Sequence, residues 1–170
     1  VLAKILELND KYNLMAEEKE EILRNVNWKI RSLKFDNLFN YGEDNVIDFA
    51  NLNGIVGIFG KNFSGKSSII DAILFTIFNT TSKNERKNAN VVNQNRNWGE
   101  GKITIAVNEK IYTIHRKVEK YEKKSKGEVS IEAKTHLDFS MYNTVTEETK
   151  SLNGTTRNQT DANIRKQFGT

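Results

Sequence analysis

The chain has 170 residues, 37% of them hydrophobic, which is enough for one sizeable core with a small appendage. Its formal net charge of +4 is too mild to imply nucleic-acid binding by itself, although it suits a partner that carries phosphates. Without cysteine there is neither a disulfide framework nor a thiolate zinc site, and two isolated histidines cannot form a metal cage, so any metal must be held by oxygen.

Residues 1–27 place Leu2, Ile5 and Leu6, then Met15, Ile22 and Val26, around a charged stretch from Glu17 to Glu21. The spacing predicts one or two short amphipathic helices broken at Asn9-Asp10, an extension to a domain that occupies 28–170. At Trp28 the texture changes. Ile30, Leu33, Phe35 and Leu38, then Val46, Ile47 and Phe49, predict two strands joined by a turn at Gly42-Glu43-Asp44-Asn45. Gly54 to Phe59 is a nearly continuous apolar run, which predicts a strand covered on both faces. Beyond the glycine-rich segment that follows, Ile69, Ile70, Ile73, Leu74, Ile77 and Phe78 recur at helical spacing, and Asn79 to Ser82 ends the helix.

From Lys83 to Gly101 only Val91, Val92 and Trp98 could join a core, so a surface loop is predicted. Alternation returns at Lys102: Ile103, Ile105 and Val107, a turn at Asn108-Glu109, then Ile111, Thr113 and His115 facing away from Tyr112 and Ile114. A charged stretch ends near Gly127, and Val129 to Leu137 is a further strand able to pair back. Thr160 to Phe168 reads as a short helix capped by Thr160 or Asp161. No apolar run approaches the roughly 20 residues that span a bilayer, and the N-terminus lacks the pattern of a signal peptide. An intracellular setting is expected, cytoplasmic or nucleoid-associated, and open to a phage or viral origin. The opening on Val1 and the stop at Thr170, just after a helical stretch, suggest part of a longer protein.

Gly60-Lys61-Asn62-Phe63-Ser64-Gly65-Lys66-Ser67 is a complete G-x-x-x-x-G-K-S segment set between a strand pattern and a helix pattern. Wrapping backbone N–H groups around a polyphosphate requires glycine where a side chain would collide, and Gly60 and Gly65 meet that need. The helix that follows adds unpaired N–H donors and its positive dipole end, Lys66 brings a mobile charge to the phosphates, and the Ser67 hydroxyl suits Mg²⁺. Phosphoryl transfer also needs an acidic residue near the metal and a group that positions water. Asp138 and Asp161 stand in unsuitable contexts, so the catalytic half is expected outside this chain.

The stretch Ile30-Arg31-Ser32-Leu33-Lys34-Phe35-Asp36-Asn37-Leu38-Phe39-Asn40-Tyr41-Gly42, then Ile47-Asp48-Phe49, the phosphate loop and Ser68-Ile69-Ile70-Asp71-Ala72-Ile73, resembles the SMC-like DNA-repair ATPases of the SbcC and Rad-fifty family. Val91-Val92-Asn93 and Tyr112-Thr113-Ile114-His115-Arg116 extend the likeness more weakly. The resemblance implies an α/β P-loop NTPase fold, the N-terminal lobe of an ABC-type ATPase head with an antiparallel β portion. It implies ATP and Mg²⁺ bound by Gly60, Asn62, Phe63, Ser64, Gly65, Lys66, Ser67 and Ser68, with Ser67 on the metal and Asn40, Val92 and Asn93 near the nucleotide. Its further implications are a long coiled coil, a C-terminal lobe carrying the signature and Walker B motifs, a second head, a nuclease partner of the SbcD type, and DNA, with no membrane. Two departures stand out: Phe63 replaces the usual glycine, and Asn40 stands where some members have arginine. Two alternatives remain at this point, a non-catalytic scaffold lobe and, disfavoured by the segment before the loop, an ABC transporter ATPase.

Lys110, Arg116, Lys117, Lys120, Lys123, Lys124 and Lys126 make the second half of the hairpin basic, offset by Glu109, Glu119 and Glu122. Lysine-rich strands are often only solvated edges protected against pairing. The functional alternative is a DNA-backbone contact through Lys117, Lys120, Lys123 and Lys124. Trp28 and Trp98 read as core or loop anchors, His115 as structural or pocket-lining, and His136 as a surface residue.

Overall fold

The computed structural model describes residue 4 and residues 28–52, 54–62, 64–82, 88–125 and 128–168. The helical extension expected over 1–27 lies outside them apart from Lys4, as do Phe63, Lys126 and Gly127. The alternating segments form six strands among the described residues: β1 (Trp28–Asp36), β2 (Asn45–Asp48), β3 (Trp98–Val107), β4 (Lys110–Ser125), β5 (Glu128–Asn143) and β6 (Thr149–Ser151). They make one antiparallel sheet in the order β2-β1-β3-β4-β5-β6. The β3–β4 hairpin closes through Asn108-Glu109 with Val107 opposite Lys110, and Asn108 takes φ +50, a conformation asparagine tolerates.

Alternation sends one face of this sheet into the core. Leu33 and Phe35 of β1, Ile103 and Ile105 of β3, Tyr112, Ile114 and Val118 of β4 and Phe139 of β5 are all buried. Two helices cover them: α1 (Lys66–Phe78), through Ala72, Phe75 and Ile77, and α2 (Arg157–Phe168), through Ile164 and Phe168. The Phe168 ring meets Tyr112 edge-on at 5.5 Å and Trp28 at 6.0 Å, which seats the end of α2 over β4 and β1. Close approach of α1 to β3 depends on Gly101, where an added methyl would collide with the Thr76 hydroxyl. The result is a two-layer α/β arrangement in which α1 carries the phosphate loop on its first turn.

Four expectations change. Gly54 to Phe59 forms no strand, and its apolar side chains stand in the open, with Ile55 at 103% and Phe59 at 94% relative exposure. A strand covered on both faces needs neighbours on both edges, and the sheet described here is completed by other strands, so the run has hydrophobicity without a pairing partner among the described residues. β3 begins at Trp98, inside the segment expected as loop, because Gly99 and Gly101 let it pass under Asn37 and Thr76. β5 runs to Asn143 and pairs with β4 along its whole length. Helix α2 starts at Arg157: Thr156 Oγ1 accepts the Gln159 N–H, whereas Thr160 is buried within the helix, its hydroxyl donating to Thr156 O and accepting from Gly154 N.

Because the 54–59 run buries nothing, Ile55→Ser combined with Phe59→Ser should shift the unfolding free energy by less than about 0.5 kcal/mol, while Leu33→Ala in the core should cost about 2–5 kcal/mol. Urea denaturation measures both; comparable losses would contradict the exposure of the run.

Candidate nucleotide-binding site

Helix α1 is entered through Gly65, which is buried at φ +89 and ψ 12, in the left-handed region where glycine alone is unstrained. Among the described residues no side chain caps this end, so the N–H groups of Lys66 and Ser67 lack intrahelical partners and have the positive end of the dipole behind them. The loop before it folds onto its own lysine. Lys66 Nζ donates to Gly60 O at 2.9 Å and Lys61 O at 2.6 Å, and Ser64 N donates to Lys61 O at 3.3 Å. Gly60 leaves room for the Ser64 hydroxyl, which a Cβ there would approach to 3.0 Å. Asn62, Ser64 and Ser67 are exposed. A glycine-bounded loop with an ammonium beside a helix N-terminus is chemically suited to an anion.

Ser67 lies exposed on the first turn, with no hydrogen bond to its hydroxyl among the described residues, a suitable oxygen for Mg²⁺. Among the described residues no group of three acidic or histidine side chains could hold a metal alone. An ion at Ser67 would therefore take phosphate oxygens and water for the rest of its shell, as Mg²⁺ at such loops prefers.

A second feature lies alongside, built from loops that pair. Phe39 N donates to Val91 O at 2.8 Å, Asn93 N to Asn37 O at 2.8 Å, and Leu38 forms a bridge with Val92. This brings Asn40, Val92 and Asn93 together in the lining of an open cleft of about 570 Å³, with Asn90, Gln94 and Asn95. Amides dominate it. Its one lysine, Lys120, has both described contacts on backbone carbonyls, Asn93 O at 3.0 Å and Arg96 O at 3.1 Å, and burial lowers its pKa. Tyr41 links cleft and loop: its carbonyl accepts from Asn93 Nδ2 at 3.0 Å and its hydroxyl donates to Gly65 O at 3.1 Å.

The far end of α1 is held by two arginines. Arg116, fully buried, donates through Nε to Thr76 O at 3.1 Å and through Nη2 to Ile77 O at 3.2 Å, and pairs with Asp161 of α2 at 2.7 Å. Burial pulls its pKa below the ordinary value and the Asp161 carboxylate opposes that pull. Arg165 donates to Phe78 O at 2.8 Å, and Asn79 N closes onto Phe75 O at 3.0 Å. All four last carbonyls of the helix are thus satisfied, with positive charge where the dipole favours it. Arg116 leaves the basic patch for the core, and Asp161 is explained as its counter-ion.

The four lysines singled out for DNA do not share a face. Strand alternation puts Lys117 and Lys123 on the outer side of the sheet, where they pair with Glu119 and Glu132 at 2.8 Å each. Lys120 and Lys124 fall on the other side, and only Lys124 of the four has no ion pair or hydrogen bond among the described residues. His115 also lies on the outer side, 3.2 Å from Glu100, and so away from the cleft; His136 is exposed. Asp138 accepts from Asn153 Nδ2 at 3.2 Å on that same outer side. The sequence reading missed Tyr41 and the clamping role of Lys120. Tyr41 stood inside a quoted motif, but nothing in the linear order shows that its ring meets a glycine 24 positions on.

A family model described as an AAA domain matches residues 32–170. The chain is 30% identical over 181 residues to the uncharacterized protein R555 of Acanthamoeba polyphaga mimivirus, covering 97% of the chain and 13% of that protein. It is 35% identical over 89 residues to the DNA double-strand break repair Rad50 ATPase of Sulfolobus acidocaldarius, covering 52% of the chain and 10% of that protein. The solved recombination mediator RecF bound to ATP aligns with a TM-score of 0.47 and 17% identity, over 65% of the chain and 27% of RecF. The chain belongs to the AAA-domain family of P-loop ATPases. It spans only 13% and 10% of the two curated relatives.

The different placements of the lysines give a measurable contrast. Lys120→Ala should cost about 1 kcal/mol in urea denaturation, since it frees two carbonyls of the 93–96 loop, whereas Lys124→Ala should stay within about 0.5 kcal/mol of the parent. Equal effects would contradict the clamp.

Proposed function

We propose that this chain binds ATP with Mg²⁺ through Gly60 to Ser68, as the N-terminal nucleotide-holding lobe of an SMC-like repair or recombination ATPase. The observation that carries the reading is the uncapped first turn of α1, entered through a left-handed Gly65 and encircled by a loop that Lys66 draws together. On binding, the N–H groups of the loop and first turn take the phosphate oxygens, and Lys66 exchanges two neutral carbonyls for anionic ones, a stronger partner. Ser67 holds the metal, which neutralises phosphate charge when bound. Asn40, Val92 and Asn93 line a cleft of amides suited to neutral polar edges, and in this reading they would take the base and sugar.

Turnover belongs to the rest of the protein in this reading. Both aspartates considered for catalysis are engaged elsewhere, Asp161 by Arg116 and Asp138 by Asn153. A C-terminal lobe of the same polypeptide would supply the acidic and signature residues and cover the apolar side chains of 54–59, whose exposure is otherwise unfavourable. The relative named a DNA double-strand break repair Rad50 ATPase supports a role for the whole protein on DNA; paired heads and a nuclease subunit of the SbcD type would be its partners in this reading. For DNA, Lys124 is the one of the four lysines without an ion pair or hydrogen bond among the described residues; reversing its charge in the whole protein should reduce the salt dependence of binding, and an unchanged slope would remove DNA contact from this position. A scaffold role without tight nucleotide binding is the second reading, favoured by the exposed apolar run.

Calorimetric titration of the chain with ATP and Mg²⁺, beside Lys66→Ala and with phosphate release followed in parallel, separates the two. Saturable binding that the substitution abolishes, without turnover, is the expected result. Absence of binding would leave the scaffold reading.

A further inference from the structure

We propose that Tyr41 is a positioning residue of the phosphate loop, its hydroxyl fixing the Gly65–Lys66 peptide so that the Lys66 N–H faces the phosphate. The inference rests on the reading of Gly60 to Ser68 as a phosphate site. The Gly65 carbonyl oxygen accepts from Tyr41 OH at 3.1 Å in addition to Ser68 N at 2.9 Å. In a planar trans peptide the carbonyl and the next N–H point in opposite directions. Anchoring that oxygen therefore aims the Lys66 N–H, one of the donors of the first turn, away from Tyr41 and outward.

The ring acts together with the hydroxyl. A Cβ on Gly65 would lie 3.3 Å from Tyr41 Cε2, so the hydroxyl end of the ring packs directly on the glycine that begins the helix. Tyr41 is itself held from three sides. Phe35 of the core meets its ring edge-on at 5.0 Å and 80°, its N–H donates to Leu38 O at 2.9 Å, and its carbonyl accepts from Asn93 Nδ2 at 3.0 Å. Asn93 in turn has its Oδ1 engaged by Asn95 N at 3.0 Å and its own N–H donated to Asn37 O. With both ends of its amide occupied, Asn93 serves the cleft as a brace, and a continuous chain of contacts runs from Asn93 through Tyr41 to Gly65. Since Tyr41 is only partly buried, water can replace the lost bond to its hydroxyl in folding terms, whereas the peptide, left to the bond from Ser68 N, is held less firmly in its phosphate-facing orientation.

The test is calorimetric titration of the whole 170-residue chain and of Tyr41→Phe with two Mg²⁺-loaded probes, ATP and inorganic tripolyphosphate, with thermal unfolding of both proteins recorded alongside. The expected result is about a five-fold weaker affinity of Tyr41→Phe for both probes, the loss of one hydrogen bond, with an unfolding midpoint close to the parent. Equal binding of the probes by both proteins would overturn the proposal while leaving the phosphate site intact. Weakening of ATP alone would also overturn it, by placing the effect in the base cleft. A parent chain that binds neither probe would remove the phosphate-site reading and this proposal with it.

Discussion

Arg116 is the interaction on which the placement of everything else depends. A guanidinium taken wholly out of water is costly unless its donors are used, and here three bonds answer that cost: two to the last-turn carbonyls of α1 and one to Asp161. Its Nη1 alone lacks a partner among the described residues. Because the arginine stands on β4, in the middle of the sheet, it ties the far end of α1 to the most extended hairpin of the molecule and ties α2 to both. The helix cannot slide or rotate without breaking these bonds, and its first turn is presented to solvent at a fixed place.

That fixed first turn turns a short glycine loop into a site. At one end of α1 positive charge meets carbonyls; at the other, the uncapped first turn is suited to an anion. Between them Gly101 lets the helix lie directly on β3, and Phe75 and Ile77 bury against the sheet. The loop pair 37–41 and 91–97, held by Asn93 and Lys120, then stands beside the phosphate loop as a second wall. Sheet, helix and loops each contribute one component, and none of the contacts is long in reach.

Much of this was legible in the order of residues. The alternation of Ile103, Ile105, Tyr112 and Ile114 gave the hairpin and its core face, and the spacing from Ile69 to Phe78 gave α1, because both periods are local properties of the backbone. The phosphate loop was legible because its chemistry demands particular residues at a particular spacing. The run from Gly54 to Phe59 misled because hydrophobicity records a need for cover, not the identity of the segment that provides it. The lysines of β4 misled for a related reason. Charge counted along the chain ignores which face each side chain takes and whether a glutamate or a carbonyl already answers it, as Glu132 does for Lys123 and Asn93 O for Lys120. Tyr41 and Arg116 act over long sequence separations, which local patterns cannot record.

The central claim is that α1 is seated by the sheet and by Arg116 independently of any nucleotide, so that its first turn is a preformed phosphate site. Amide hydrogen exchange with and without ATP and Mg²⁺ tests it most directly. The account expects residues 72–78 to be protected in both conditions and residues 64–68 to gain protection only with nucleotide. Exchange at 72–78 as fast as at the exposed residues 60–62 before nucleotide is added, with protection appearing along the whole helix on binding, would contradict it.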